Sequence, residues 1–170
     1  MTKALRPLAL GLTLLVVGCA ENAEKVTSGF GKDKIAERKL IRTTAYTDSE
    51  CSHRKCRVKN AIGSHLECGK INSAAADWSR FPVGTKFRVV DNNKMYVIDD
   101  YGSALVGTET IDLYMTSRYL MNQWGARKVT IEVLEKGSYA KSLEVLKPRQ
   151  GVRCVRQMVL NIEKKAETKF

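Results

Sequence analysis

The chain is short of the residues that punctuate or decorate a fold: 3 prolines, and aromatic side chains at 7% of its 170 positions. No apolar run reaches the roughly 18–20 residues a helix needs to cross a bilayer, which excludes a polytopic membrane protein. There is no Gly-x-Ser-x-Gly, no His-Glu-x-x-His, no phosphate loop and no dinucleotide fingerprint, so the common nucleophile, zinc and nucleotide motifs are missing. Both histidines, His53 and His65, fall in one cysteine-bearing stretch, where a Ser-His-Asp site would have no local signature. Internal repeats and low-complexity runs are absent as well. What remains is 44% apolar and 28% charged, the balance of a single folded domain rather than of a disordered chain.

Basic residues outnumber acidic ones 29 to 18, a net charge of +11, and their placement decides what that means. Residues 43–140 are close to neutral, whereas residues 141–170 hold eight basic and three acidic side chains. Without a contiguous basic stripe, nucleic acid is not an expected partner. The tail reads as a solvated helix face or, more sharply, as a contact for an anionic envelope surface.

At the other end, Lys3 and Arg6 precede an apolar run from Leu8 to Val17, the length of a secretory signal's hydrophobic region. It closes in Val16-Val17-Gly18-Cys19, similar to a bacterial lipobox, which implies removal of residues 1–18 and lipidation of Cys19. A plain signal peptide with a nearby cysteine is the alternative. Several acyl chains on one residue hold a protein on a membrane without a span. Residue 20 is Ala rather than Asp, which by resemblance to enterobacterial sorting rules points to the periplasmic face of the outer membrane. Residues 19–38 are then a polar tether.

Four further cysteines, Cys51, Cys56, Cys68 and Cys154, make an even count that in an exported protein points to disulfides with three connectivities. Cys51–Cys56 with Cys68–Cys154 is the pairing set down here. Zinc is the rival, since His53 and His65 crowd the same stretch, although the spacing fits no common zinc module. No cofactor is expected, and no metal in the leading reading.

From Leu40 the pattern becomes one of short strands: 40–47, 85–90, 94–99, 111–115 and 128–134 are each rich in β-branched or aromatic residues. Residues 128–133 alternate polar and apolar, Pro82-Val83-Gly84 carries turn chemistry, and Asp91-Asn92-Asn93 reads as a hairpin turn. One short helix interrupts them, capped at Thr116 or Ser117 and ended by Gly125, with Tyr119, Leu120, Met121 and Trp124 as its apolar face. A second runs from about 152 to 165 with Val152, Val155, Val159 and Ile162 on one stripe. Short strands with one small helix suggest a compact β-barrel over 39–136, followed by a basic, partly helical extension over 137–170.

Carboxylates are the remaining chemistry. Asp99 and Asp100 stand where a strand runs into Tyr101-Gly102-Ser103, and alternation lets only one of them face a given cleft. By the same alternation Asp112 and Tyr114 share a face opposite Ile111 and Leu113. Asp77 follows the small-residue run 73–76. Acids at strand ends are turn formers more often than catalysts.

These residues resemble a known family. Thr44-Ala45-Tyr46-Thr47, Ala76-Asp77, Pro82-Val83-Gly84-Thr85, Asp100-Tyr101-Gly102-Ser103-Ala104-Leu105-Val106-Gly107, Ile111-Asp112-Leu113-Tyr114 and Trp124-Gly125 occur in the order of the three-aspartate ("3D") domain. That is the smaller domain of membrane-bound lytic transglycosylase A. The resemblance implies a six-stranded double-psi β-barrel, as in rare lipoprotein A and expansins, with Asp77, Asp100 and Asp112 as the three aspartates. It implies peptidoglycan glycan strands as the substrate and Asp100 as the single acid/base that leaves 1,6-anhydro ends. Asp112 and Asp77 would support it, and Tyr46, Tyr101, Gly102, Ser103 and Tyr114 would meet sugar, with barrel packing as the tyrosines' other role. In the two-domain enzyme a larger domain completes the groove. Here residues 48–68, the tail or a protein partner would have to do so, failing which the chain is a non-catalytic peptidoglycan-binding lipoprotein.

Overall fold

The chain's fold follows from strands that bury one face each. In β5 (Ile111–Tyr114) the buried residues alternate with half-buried ones, as its sequence demands: Ile111 and Leu113 point inward, Asp112 and Tyr114 outward. The computed structural model describes residues 37–48 and 59–168. β1 (Glu37–Tyr46), β2 (Asn72–Ala75), β3 (Lys86–Val89), β4 (Lys94–Asp100), β5 and β6 (Arg127–Glu135) close into a barrel in the order β1-β5-β2-β4-β3-β6. Two neighbouring pairs, β1/β5 and β2/β4, are parallel and the others antiparallel, so the barrel is mixed. Closure leaves no free sheet edge to aggregate.

The interior is filled by Phe87, Ile98, Ile111, Leu113 and Ile131, all fully buried, with Trp78. Phe87 stacks on Tyr96 across the β3–β4 hairpin, at 5.5 Å between ring centroids. That hairpin turns at Asp91-Asn92-Asn93 as expected, with Asn93 taking the left-handed conformation (φ 56°). β2 was not anticipated. Asn-Ser-Ala-Ala has no strand-forming side chain, yet all four residues are buried, because only small ones fit between β4 and β5. In β6 the alternation slips at Glu132, which is buried beside Ile131. Arg38 from β1 and Arg88 from β3 both bond its carboxylate and hold it below the usual glutamate range.

The helices depart more from expectation. α1 (Arg118–Trp124) starts at Ser117, whose hydroxyl accepts from Leu120 N–H, and ends at Gly125. Its apolar residues divide: Met121 and Trp124 are half-buried against the core, whereas Leu120 is exposed and Tyr119 is 69% exposed. α2 (Tyr139–Leu146), capped by Ser138, lies where no helix was read. α3 (Arg153–Glu167) buries Val155, Met158, Val159 and Ile162, while Val152 is its exposed N-cap. These residues and Leu146 belong to the same apolar cluster as the barrel interior, so the extension is part of the domain's core. No helix among the described residues is long and apolar enough to cross a membrane.

The Cys68–Cys154 pairing is not formed; both thiols are free. Cys68 is exposed just before β2, whereas Cys154 packs in the first turn of α3 beside Ser103 and Val106. Cys19, Cys51, Cys56 and His53 lie outside the described residues. Among those described, no group of three or more His, Cys, Asp or Glu could hold a metal ion.

Candidate functional site

Across four adjacent strands, backbone register lines up one row of side chains. Thr44 of β1 pairs with Asp112 of β5, Asp112 with Ala75 of β2, and Ala75 with Asp100 of β4. Two strand spacings therefore separate the aspartates, roughly 10 Å between α-carbons. Ala75 lies between them and its methyl group leaves the row open. Thr44, Ala75, Asp100 and Asp112 line a cleft of about 450 Å³ on the outer face of the barrel wall, a volume suited to a small ligand or a few sugar rings.

A register shift puts Asp100 in this row. Ala74 pairs with Ile98, but Ala75 pairs with Asp100, so Asp99 is the extra residue of a bulge. Bulges re-aim side chains beside functional sites. Only Asp100 faces the cleft, as alternation required. Asp99 turns beneath the segment that precedes β2, where Ser73 Oγ donates to its Oδ2 at 2.6 Å and Asn60 Nδ2 at 2.9 Å.

Asp100 Oδ1 accepts from Tyr101 N–H at 2.9 Å, and Oδ2 faces the Tyr46 hydroxyl at 3.5 Å. Burial pushes its pKa up to about 6. The bonds from Tyr101 N–H, Ala61 N–H and Tyr46 hold it down, while the charge on Asp99 adds to the rise. Asp99 is thus a neighbouring carboxylate that takes part in the rise. Burial, then the charges on Asp100, Asp99 and Asp112, push Tyr46 upward, so it stays a phenol and donates. Asp112 accepts from Thr44 Oγ1 at 2.7 Å.

Asp77 does not reach the cleft. It is fully buried and organises loops: Oδ1 accepts from Ser79 N–H and Oδ2 from Gly107 N–H, each at 2.8 Å. Through Gly107, whose φ of 85° suits glycine, it fixes the 102–108 loop that supplies Gly102, Ser103 and Leu105 to the cleft wall. Its part is support by hydrogen bonding. Tyr101 packs edge-on against Trp78 at 5.1 Å, and Tyr114 sits 5.6 Å from the Tyr46 ring; neither lines the cleft, and both serve packing.

Among the contributors missed in the sequence, three show why. Ala75 belongs to an unrecognised strand. Arg42 shares the outward face of β1 with Thr44 and Tyr46, which period-two alternation would have revealed. Lys59 comes from a stretch with no periodicity.

Fold and cleft together define a closed mixed β-barrel that presents two aspartates, one of them protonatable near neutral pH, to a single hollow. Residues 72–135, from β2 to β6, match the family model for the 3D domain, and the closed six-stranded barrel fits the kind found in membrane-bound lytic transglycosylase A. The family is associated with lytic-transglycosylase-like work on peptidoglycan. β1, with Arg42, Thr44 and Tyr46, lies ahead of the matched stretch. No curated protein matches the chain.

Proposed function

We propose that the chain is a peptidoglycan lytic transglycosylase using Asp100 as its single acid and base. The observation that carries this is the state of Asp100: a carboxyl group in a cleft, bonded on both oxygens, with a pKa of about 6. Near neutrality such a group exchanges its proton readily, which general acid–base work requires.

In the reaction, protonated Asp100 gives its proton to the glycosidic oxygen between N-acetylmuramic acid and N-acetylglucosamine as positive charge develops at C1. The bond breaks and Asp100 is left as a carboxylate. It then takes the proton of the muramic acid C6 hydroxyl while that oxygen closes on C1, leaving a 1,6-anhydro end. The nucleophile is intramolecular, so one carboxyl group suffices, in contrast to the paired acids of hydrolases. Tyr46 O–H and Tyr101 N–H stabilise the carboxylate between the two proton transfers. Asp112, fixed by Thr44, supplies negative charge toward the developing cation.

With this goes envelope attachment through Cys19 after removal of residues 1–18, on the periplasmic face of the outer membrane; the lipobox-like Val16-Val17-Gly18-Cys19 supports it. Incubating purified sacculi with the protein and with Asp100→Asn tests the activity. The expected result is anhydro-muropeptides from the first, and at least a hundredfold fewer from the second, with sacculus binding retained. Equal products from both would remove Asp100 from the mechanism. Binding without products from either would leave a glycan-binding lipoprotein.

A further inference from the structure

Asp99 is a buried acid that the chemistry above does not use. It is 5% exposed, both of its side-chain hydrogen bonds fall on Oδ2, and Oδ1 is buried with no hydrogen-bond partner. A carboxyl group placed so costs stability. Burial pushes it above the ordinary aspartate range despite those two bonds.

What it holds is Asn60, itself buried and the organiser of a tight turn. Asn60 N–H donates to Ser64 O, its carbonyl accepts from Gly63 N–H, and its Oδ1 accepts from Ser64 N–H. The next residue faces two ways: Ala61 N–H lies near enough to Asp100 to favour its charged form, and Ala61 O accepts from Arg149 Nη1 at 2.7 Å. Arg149 belongs to the short 3-10 turn (Lys147–Arg149) between α2 and α3. At the far end Glu67 and Ser73 exchange two hydrogen bonds of 2.9 Å. Lys59, just before the first fastening, and Leu66, just before the last, line the cleft.

We propose that Lys59–Leu66 is the second wall of the glycan cleft, positioned from the barrel by Asp99 through Asn60 and from the C-terminal extension by Arg149 through Ala61. This rests on the glycan reading and deepens it: one chain builds a two-sided groove without a partner domain. Asp99, Asn60 and Arg149 are positioning residues, since none of them lines the cleft. Asp100 reports on the wall. It is faced by Asp99 on its own strand, Tyr46 from β1, Asp112 from β5, and Lys59 with Ala61 N–H from the wall. Losing the Ala61 donor moves its titration up, whereas removing the Asp99 charge moves it down.

The test uses the full chain with Asn60→Ala, Arg149→Ala, Arg149→Lys and Asp99→Asn. Amide exchange over 59–66, carboxyl NMR titration of Asp100, and retention on purified glycan strands are measured. Arg149→Ala and Asn60→Ala should speed exchange of the wall roughly tenfold, the worth of one hydrogen bond, with the strand amides unchanged. Both should raise the Asp100 titration and weaken glycan retention several-fold. Arg149→Lys should restore part of each, and Asp99→Asn should lower the titration. Should Arg149→Ala, which alters an exposed side chain, leave exchange and retention at wild-type levels, the clamp is refuted. A loosened wall with undiminished retention shows that it does not border the glycan. If the wild-type chain retains no glycan, the glycan reading fails, and the exchange and titration arms still decide the clamp.

Discussion

A carboxyl group half-sealed in a cleft weakens the fold whenever it is ionised, and Asp100 is such a group. Its ordinary pKa of 3.8 becomes about 6 in the folded chain. Below about pH 4 the carboxyl is protonated in both folded and unfolded chains and costs nothing. Between 4 and 6 the unfolded chain ionises first, so stability falls as pH rises, and above 6 the whole penalty applies. Two units correspond to about 3 kcal/mol, which partial solvent access reduces to about 2 kcal/mol. Asp100→Asn should therefore be more stable than wild type by about 2 kcal/mol at pH 8 and indistinguishable from it at pH 3, as urea melts at the two pH values would show. Equal stability at pH 8 would mean that Asp100 is fully hydrated and unsuited to act as an acid near neutrality. The neighbouring acids differ by partner rather than by residue type: Asp77 meets backbone donors and shapes loops, Asp99 meets Asn60 and Ser73, and Asp112 meets Thr44.

Between elements, the contacts are often backbone against backbone, and these are the ones a sequence conceals. The β-rich runs of β1, β3, β4, β5 and β6 were legible because their side chains alternate or branch. β2 was not, since its strand character comes from its neighbours rather than from Asn-Ser-Ala-Ala. The bulge at Asp99 was hidden for the same reason, being a property of the β2–β4 pairing. Of the apolar residues of α1, Met121 and Trp124 meet the core and Tyr119 and Leu120 do not, because periodicity says which face is apolar and not how much of it is covered. Alternation gave Asp112 its outward face and left Asp99 and Asp100 as alternatives; the grouping of Asp100, Asp112 and Asp77 came from the resemblance, whose motif order carries no distance. Gly137, where β6 gives way to α2, is a further contact of this hidden kind. Its N–H bonds Thr85 Oγ1, Ser138 N–H bonds Val83 O, and a β-carbon on Gly137 would run into the Pro82 and Val83 carbonyls and the Thr85 nitrogen. Gly137→Ala should cost about 2–3 kcal/mol, the cost of overpacking against rigid backbone, measured by chemical denaturation. A loss under about 0.5 kcal/mol would show that this crossing yields.

At the scale of the whole molecule, the basic extension and the barrel are one folding unit, and that changes what its charge can be taken to mean. Arg153, Arg156 and Lys164 lie on the exposed side of α3, whereas Val155, Met158, Val159 and Ile162 share the apolar cluster with Phe87 and Leu113. Lys165 Nζ reaches Ser79 O at 2.6 Å, binding the helix to the turn after β2. Deleting residues 150–170 would therefore open the core as well as remove charge, so an envelope contact has to be probed by neutralising the exposed cations singly. The same arrangement fixes how the protein unfolds. Met158 is fully buried, and Met158→Ala should cost about 3 kcal/mol through the cavity it leaves. With a shared core, that loss should lower one cooperative transition followed alike by helix signal and by the fluorescence of Trp78 in a Trp124→Phe background. If the helix signal melted first and the tryptophan later, at its wild-type midpoint, α3 would be an appendage rather than a wall of the core, and Arg149 would lack the fixed base from which to hold Ala61.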